Sequence, residues 1–588
     1  MGSMFKKSKQ RSLLIGLVWT GCFIMVIGRL FWLQAVDYNE LLAAAKETWI
    51  KEDVLRPKRG TIYDRTKQQQ LAWEVDAYYF VADTRQVKNP QKTANLLAPI
   101  LKIDADVLAE KLSKKSDSVE LRYKGKYKYP EEVLKKVTAL DEKGLIDGIY
   151  AFPTFMRQYN GTLAAHVLGF LQYDDTAVGG IEQVYDKWLR GKEGYVKYLK
   201  ARNGMMVTDQ PEKNRPPEPS KDLVLTIDSR IQHQLELELE EAIDNYQAKG
   251  GTAIVADPKT GEILAMASRP TFDPGNYSET LTEDNAKNLA VQSQFEPGST
   301  FKIVTLAAAI EEGIFHPDAT FQSGSVKVGD RVIHDWNGSG WGQITFRDGI
   351  KLSSNVAFVL LGQKLGEQKL VDYINRFGFG DITEQLGKKT GIDLPAEGRG
   401  YFFGRNLYSS ELATVSFGQG ISVTPIQQVA SLCAIANGGT WHKPHILDSV
   451  WETGLEKKVQ SFKPESRRII KESTAMQVRE LLREVVRNGT GVEAELPGYG
   501  VAGKTGTAQK PDPDGSGYLE NKYIVSFIGF APYNNPEVVV YVAIDEPSSA
   551  SGNATGGTVA APVAREIMKK SLQIRQIEPN DEFAQSIK

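Results

Sequence analysis

The sequence predicts an α+β protein: an apolar helix near the N-terminus, a mixed region, and a C-terminal domain whose antiparallel sheet is made from both of its ends and flanked by helices. Three observations predict this. Positions 13–36 carry a single charge, Arg29. Residues 252–257 and 262–268 are two apolar runs parted by Pro258-Lys259-Thr260-Gly261, which reads as a hairpin by its turn chemistry. Residues 523–530 and 538–544 repeat the pattern around Pro532-Tyr533-Asn534-Asn535-Pro536, with long helical stretches between the two pairs.

The apolar run is long enough to span a membrane. At 1.5 Å per residue it reaches about 36 Å against a hydrocarbon core of about 30 Å. Arg29 lies near its far end and can snorkel outward. Lys6, Lys7, Lys9 and Arg11 precede it, so residues 1–12 are expected in the cytoplasm and the bulk of the chain outside it. A cleaved signal peptide, cut at Ala43-Ala44-Ala45, would have a shorter apolar region lying closer to its cleavage site.

The bulk properties are globular: 588 residues, 41% hydrophobic and 24% charged, too long for one ordinary core. With 71 basic against 73 acidic residues there is no net field for nucleic acid. Cys22 lies in the apolar run and Cys433 in the helical-looking stretch 427–436, a poor disulfide pair. His442 and His445 are the nearest approach to a cluster and no Cys/His group has ligand spacing, so neither a metal nor a cofactor is expected.

After the span, residues 37–55 read as a helix, with Leu41, Leu42, Ala45, Trp49 and Ile50 at helical spacing. From 59 to 219 the text is mixed, with a short strand at 78–82 and a helix at 130–140. Residues 211–220, containing Pro216-Pro217-Glu218-Pro219, read as a linker or domain joint. Residues 228–246 have helical periodicity through Ile231, Leu235, Leu239 and Ile243.

Three short motifs follow. Ser299-Thr300-Phe301-Lys302 comes after Glu296-Pro297-Gly298 and opens an apolar helix, so Ser299 and Lys302 share a helical face. A lysine of lowered pKa can take the proton of a neighbouring serine, and a helix N-terminus offers N–H groups to developing negative charge. Alone the pattern is common. Ser353-Ser354-Asn355 on the apolar text 350–361 could equally be a satisfied packing cluster. Lys504-Thr505-Gly506-Thr507 lies in a strand-like stretch, 501–509, where Gly503 and Gly506 mark the approach of a ligand or another backbone. An edge strand with a bulge would look the same.

In this order the motifs are the signature of penicillin-binding proteins and class A β-lactamases, and S-S-N in place of S-D-N argues against the latter. Residues 415–439, Gly489-Thr490-Gly491, 501–509 (VAGKTGTAQ) and 526–532 (SFIGFAP) resemble the transpeptidase domain of class B penicillin-binding proteins. Arg59-Gly60-Thr61-Ile62-Tyr63-Asp64-Arg65, Arg157 with Tyr159 and 164–170 (AAHVLGF), and 179–191 with Gly180-Ile181-Glu182 are similar to three motifs of that family's non-catalytic pedestal. Residues 66–70 depart, standing where the family turns with a glycine.

The resemblance implies a cytoplasmic tail at 1–12, a transmembrane helix at 13–36, an elongated pedestal (dimerisation-like) domain at 37–219, a transpeptidase domain at 220–575 and a polar tail at 576–588. The transpeptidase domain would be penicillin-binding/serine β-lactamase-like, a five-stranded antiparallel sheet flanked by helices. It also implies single-pass attachment to the cell membrane, with the catalytic domain outside. Ser299 would attack the D-Ala-D-Ala end of a peptidoglycan stem peptide, with Lys302 as base and Ser353 as proton relay. Asn355 would hold Lys302 and the substrate amide. Lys504 would keep the groove positive, and Thr505, Gly506 and Thr507 would line it against the substrate carboxylate, with Lys504 and Thr507 facing it. The N–H groups of Ser299 and Thr507 would form the oxyanion hole. The implied partners are the stem peptides (D-Ala-D-Ala donor and amine acceptor), β-lactams, and a polytopic glycan-polymerising membrane protein. Elongation, division and sporulation are not distinguished. The rival readings are a β-lactamase or β-lactam sensor, and a scaffold whose pedestal regulates that polymerase. Against them stand a pedestal that a β-lactamase does not need and an intact Ser299, Lys302, Asn355 and Lys504.

Overall fold

The computed structural model describes residues 2–41, 50–122, 127–200, 206–207, 214–381, 386–402, 404, 406–512, 514–515, 517–548 and 554–580. The chain forms two compact units, Met1–Pro57 with Gly191–Pro219, and Lys58–Arg190 with Ser220–Lys588.

In the first unit the helix Gly2–Phe31 runs into a π-helical turn, Trp32–Val36. Its segment Arg11–Val36 is 26 residues long with mean hydropathy 2.1 and exposed side chains, long and apolar enough to cross a membrane. The helix expected over 37–55 is not what forms. Residues 38–41 are helical, 42–49 lie outside the described residues, and Ile50–Leu55 is a strand. It pairs antiparallel with Gly194–Lys200, Ile50 opposite Leu199 and Leu55 opposite Gly194, and Met206–Val207 continues the sheet. The ladder comes from a distant part of the chain, a partner that local periodicity cannot register. The Pro-rich stretch is tied down in its described part, through bridges between Tyr195 and Arg215 and between Lys192 and Glu218.

In the second unit, the long strand Gln70–Ala82 pairs along its length with Ile149–Tyr159. Through Ile62–Tyr63 it joins Lys221–Leu225 and Leu447–Glu452, so one sheet carries chain from both the pedestal-like and the C-terminal motifs. Three helices, Pro90–Leu101, Ala105–Leu112 and Glu131–Glu142, close a small core over the long strand, around Phe80, Leu97, Leu108 and Val137. The pedestal-like motifs meet at one buried ion cluster. Glu182, wholly buried, accepts from Arg59 Nε at 2.8 Å and Arg157 Nε at 2.7 Å, and Arg157 also donates to Gly60 O. Asp64 accepts from Ser229 Oγ at 2.8 Å, and Arg65 reaches Glu262 at 3.4 Å. Arg59, Asp64, Arg65, Arg157 and Glu182 are thus all tied to partners within this unit.

The second sheet of this unit positions the site. Its strands are β1 (Gly250–Ala256), β2 (Ile263–Arg269), β3 (Ala502–Pro511), β4 (Tyr518–Ala531) and β5 (Val538–Asp545), in the antiparallel order β2-β1-β5-β4-β3. β4 is much longer than its apolar run at 523–530, because its ladder with β3 continues into the polar residues before it. Alternation sorts their side chains. Val538, Val540, Val542 and Ile544 pack under helices α1 (Ser229–Asn245) and α6 (Ala561–Ile574). Val539, Tyr541 and Ala543 face the larger core, shared with α2 (Lys302–Glu311), α3 (Asn355–Leu365), α4 (Pro425–Ala436) and α5 (Glu472–Asn488). Helices cover both faces, which is why these strands read as continuous apolar runs.

Candidate active site

Ser299 lies in the 3₁₀ turn Gly298–Phe301 that leads into α2. The turn is pressed against β3. Gly298 has φ +55°, donates to Gly418 O at 3.0 Å, and would place a Cβ 3.4 Å from Thr507 O. On the strand side, a Cβ on Gly506 would lie 2.4 Å from Ser526 Oγ and 3.0 Å from Thr300 Cγ2. Gly506 therefore admits the serine turn itself, the backbone alternative of the two that a strand glycine offers. Ser299 is half-buried and lines a cavity of about 550 Å³ together with Ser353, Asn355, Thr505 and Thr507.

Lys302 is buried at 1% exposure, and its Nζ donates to Ser353 O (2.8 Å), Ser353 Oγ (3.3 Å) and Asn355 Oδ1 (2.8 Å). Asn355 is fixed from its other end, Nδ2 donating to His334 O at 3.0 Å. The S-S-N motif is not wholly inside a helix: its two serines precede α3 and Asn355 opens it. The motif spans the break between the helix Phe346–Lys351 and α3, with Ser353 at φ +60° and Ser354 capping α3 through Ala357 N. A left-handed serine is strained, and here the strain turns its carbonyl toward Lys302.

Burial pushes the Lys302 pKa well below its usual value, the nearby charge of Lys504 adds to the shift, and Asp335 opposes it. Lys504 is likewise buried, pushed down to about 7 by desolvation, and its Nζ donates to Thr505 O at 3.2 Å. It does not line the cavity, whereas Thr507 does, so only one of the two residues expected to face the groove does so directly. Thr505 Oγ1 bonds Thr490 Oγ1 at 2.9 Å, and Thr507 Oγ1 accepts from Gly556 N at 3.2 Å. That leaves the Thr507 O–H to donate elsewhere. The assembled groups are a serine, a lysine one turn away that sheds its proton easily, a second hydroxyl on that lysine, and a hydroxyl-lined strand. Such a set can activate a nucleophile and hold an anion.

The penicillin binding protein transpeptidase domain family matches residues 251–569, and the penicillin-binding protein dimerisation domain family matches residues 54–225. Stage V sporulation protein D of Bacillus subtilis is 40% identical, over 97% of this chain and 86% of that protein. The chain belongs to the class B penicillin-binding proteins. A probable peptidoglycan D,D-transpeptidase PenA of Neisseria meningitidis is 32% identical over 95% of this chain and 91% of that one. Penicillin-binding protein 3 of Mycobacterium tuberculosis, solved in complex with ampicillin, superposes with TM-score 0.68 at 28% identity, over 90% of this chain and 97% of that one.

Several residues in or behind the cavity wall of this class B protein stand outside the three short motifs. Asp335, 2% exposed, accepts from Ser354 Oγ (2.8 Å), Val356 N (3.1 Å) and Gly324 N (2.8 Å), and so holds the S-S-N break in place. Trp336 lines the cavity beside it. Neither stands at motif spacing from Ser299, and only the fold of 320–345 brings them in. Thr490 was legible solely through the Gly489-Thr490-Gly491 likeness.

Proposed function

We propose that the protein is a membrane-anchored serine D,D-transpeptidase that cross-links peptidoglycan stem peptides through an acyl-enzyme on Ser299 and binds penicillin covalently at the same atom. The observation that carries this reading is Lys302. It is wholly buried, makes no salt bridge among the described residues, is held by Ser353 and Asn355, and lies one turn from a half-exposed serine on the cavity wall. A lysine so placed is neutral often enough to accept the Ser299 proton. Ser299 Oγ attacks the penultimate D-Ala carbonyl, and the N–H groups of Ser299 and Thr507 face the oxyanion. Ser353 Oγ, on Lys302 Nζ, passes the proton to the departing D-alanine. Asn355 orients Lys302 and offers its remaining N–H to the substrate amide. Thr505 and Thr507 take the terminal carboxylate beside Gly506, and Lys504, buried behind them, supplies positive charge without touching it. An amine of a second stem peptide then accepts the acyl group.

On this reading, residues 13–36 anchor the protein in the cell membrane with 1–12 in the cytoplasm. Residues 37–219 are the pedestal, 220–575 the transpeptidase domain and 576–588 a polar tail. The pedestal motifs spend their charges internally, so a glycan-polymerising membrane partner would be met by other pedestal surfaces. Changes to those surfaces should reduce co-purification with such a polymerase and spare penicillin labelling. The test of the chemistry is a fluorescent penicillin followed by peptide mass spectrometry. We expect the adduct on Ser299 and its complete loss in Ser299→Ala at unchanged thermal stability. An adduct on any other residue overturns the assignment.

A further inference from the structure

One wall of the cavity plays no part in the chemistry above. Trp336 is 64% exposed at the cavity's edge, an expensive position for an indole. It is nevertheless held firmly. Its Nε1 donates to Leu352 O at 2.9 Å, and Trp341 meets it at 5.9 Å between ring centroids, 60° edge to face. Around it, Asn337 closes the turn onto Gly340 through both its amide atoms, and Trp341 N donates to Ser323 Oγ at 2.7 Å. Asp335, next in the chain, ties the same loop to Ser354 and Val356. A loop that commits this many hydrogen bonds to keeping one aromatic ring exposed is preorganised for contact.

The position of the ring indicates what it contacts. In the transfer step the amine nitrogen attacks the acyl carbonyl carbon and the ester bond to Ser299 Oγ breaks. The proton lost by the amine returns to Ser299 Oγ through Ser353 and Lys302. The entering nitrogen takes the place of the one that left, so it must reach Ser353 Oγ. Trp336 is anchored on the carbonyl of Leu352, the residue before Ser353, and lines the same cavity. The opposite strand presents the hydroxyls of Thr505 and Thr507, suited to a carboxylate. A departing D-alanine is short, whereas an amine borne on a second stem peptide brings an arm that must cross the rim.

We propose that Trp336 is the acceptor-side wall: the aliphatic arm of a long-chain primary amine lies on its indole while the nitrogen attacks the Ser299 acyl group. This rests on the proposed transpeptidase reading. The apolar ring also keeps water from the ester, favouring amide over free acid.

The test uses the full chain, a D-alanyl thioester donor and two acceptors, glycinamide and Nα-acetyl-lysinamide. The ratio of aminolysis to hydrolysis is measured by mass spectrometry. Both products come from one acyl-enzyme, so the ratio does not depend on how fast it forms. In Trp336→Ala the ratio should fall about tenfold for the lysine-type acceptor, as its apolar contact is lost, and about twofold or less for glycinamide. Trp336→Gln keeps a donor for Leu352 O but no ring, and should lose as much, while Trp336→Phe recovers most of the ratio. Unchanged ratios in both ring-deleting variants overturn the proposal. So does an equal fall for both acceptors, which would make the ring a water shield only. A parent protein that forms no acyl-enzyme would instead sink the reading of Ser299.

Discussion

Arg59 and Arg157 are buried against Glu182 at the pedestal-side cluster, whereas Lys302 and Lys504 are buried in the active site against carbonyls, a hydroxyl and an amide. Both places take cations out of water, with opposite results. In the first, burial raises the Glu182 pKa, but the two guanidinium groups outweigh it and hold the carboxylate below its usual range. In the second, the carboxylate that acts on Lys302, Asp335, is already committed to three donors, and burial wins at both lysines, which give up protons easily. Paired burial makes a fixed joint, and unpaired burial makes a reactive group.

The most severe way to break the comparison is to remove Lys302, the lysine proposed as the base. Lys302→Met should slow penicillin acylation by about 10²–10⁴-fold, the range of a lost general base, while the thermal transition stays in place. An acylation rate within a few-fold of the parent would show that another group takes the proton.

Removing the partner at the joint should act on stability instead. Glu182→Gln leaves two buried guanidinium groups facing a neutral amide and should cost about 3–5 kcal/mol in denaturant unfolding. Because the folded pKa of Glu182 is lowered, its stabilisation is present above the ordinary value of 4.5 and is lost as pH falls through the lower folded value. The parent should therefore lose stability in acid over that window, and Glu182→Gln should lack this component. An equally acid-sensitive variant would remove Glu182 from the account.

The two lysines can be separated by pH. Acylation should rise as Lys302 sheds its proton, and recognition of a carboxylate should weaken as Lys504 loses its own near about 7. A penicillin should then lose reactivity above that pH by up to about tenfold per unit, whereas its methyl ester should not. Parallel profiles for acid and ester would mean that Lys504 does not read the carboxylate.

The smallest effect belongs to Thr507. Its backbone N–H is untouched by substitution, so Thr507→Ala should lower the second-order acylation constant by only about tenfold, the loss of one hydrogen bond to a charged group. A loss as complete as that of Ser299→Ala, in a folded protein, would refute the division between hydroxyl and backbone.

Much of this was legible beforehand because it is local. The long apolar helix through 13–36 follows from length and apolarity, the strands around 258–261 and 532–536 from turn chemistry, and the closeness of Ser299 and Lys302 along the chain from their three-residue spacing. The strand Ile50–Leu55 was not, because its ladder partner, Gly194–Lys200, lies far along the chain and periodicity reports only the near neighbours. The same limit hid the left-handed Ser353, set by the junction of two helices, and the placing of Asp335 and Trp336, set by loop packing. Sequence by itself determined which groups are candidates for the proposed chemistry. Tertiary structure decided which cations would be buried with a carboxylate and which without, because desolvation and pairing depend on what the fold brings alongside.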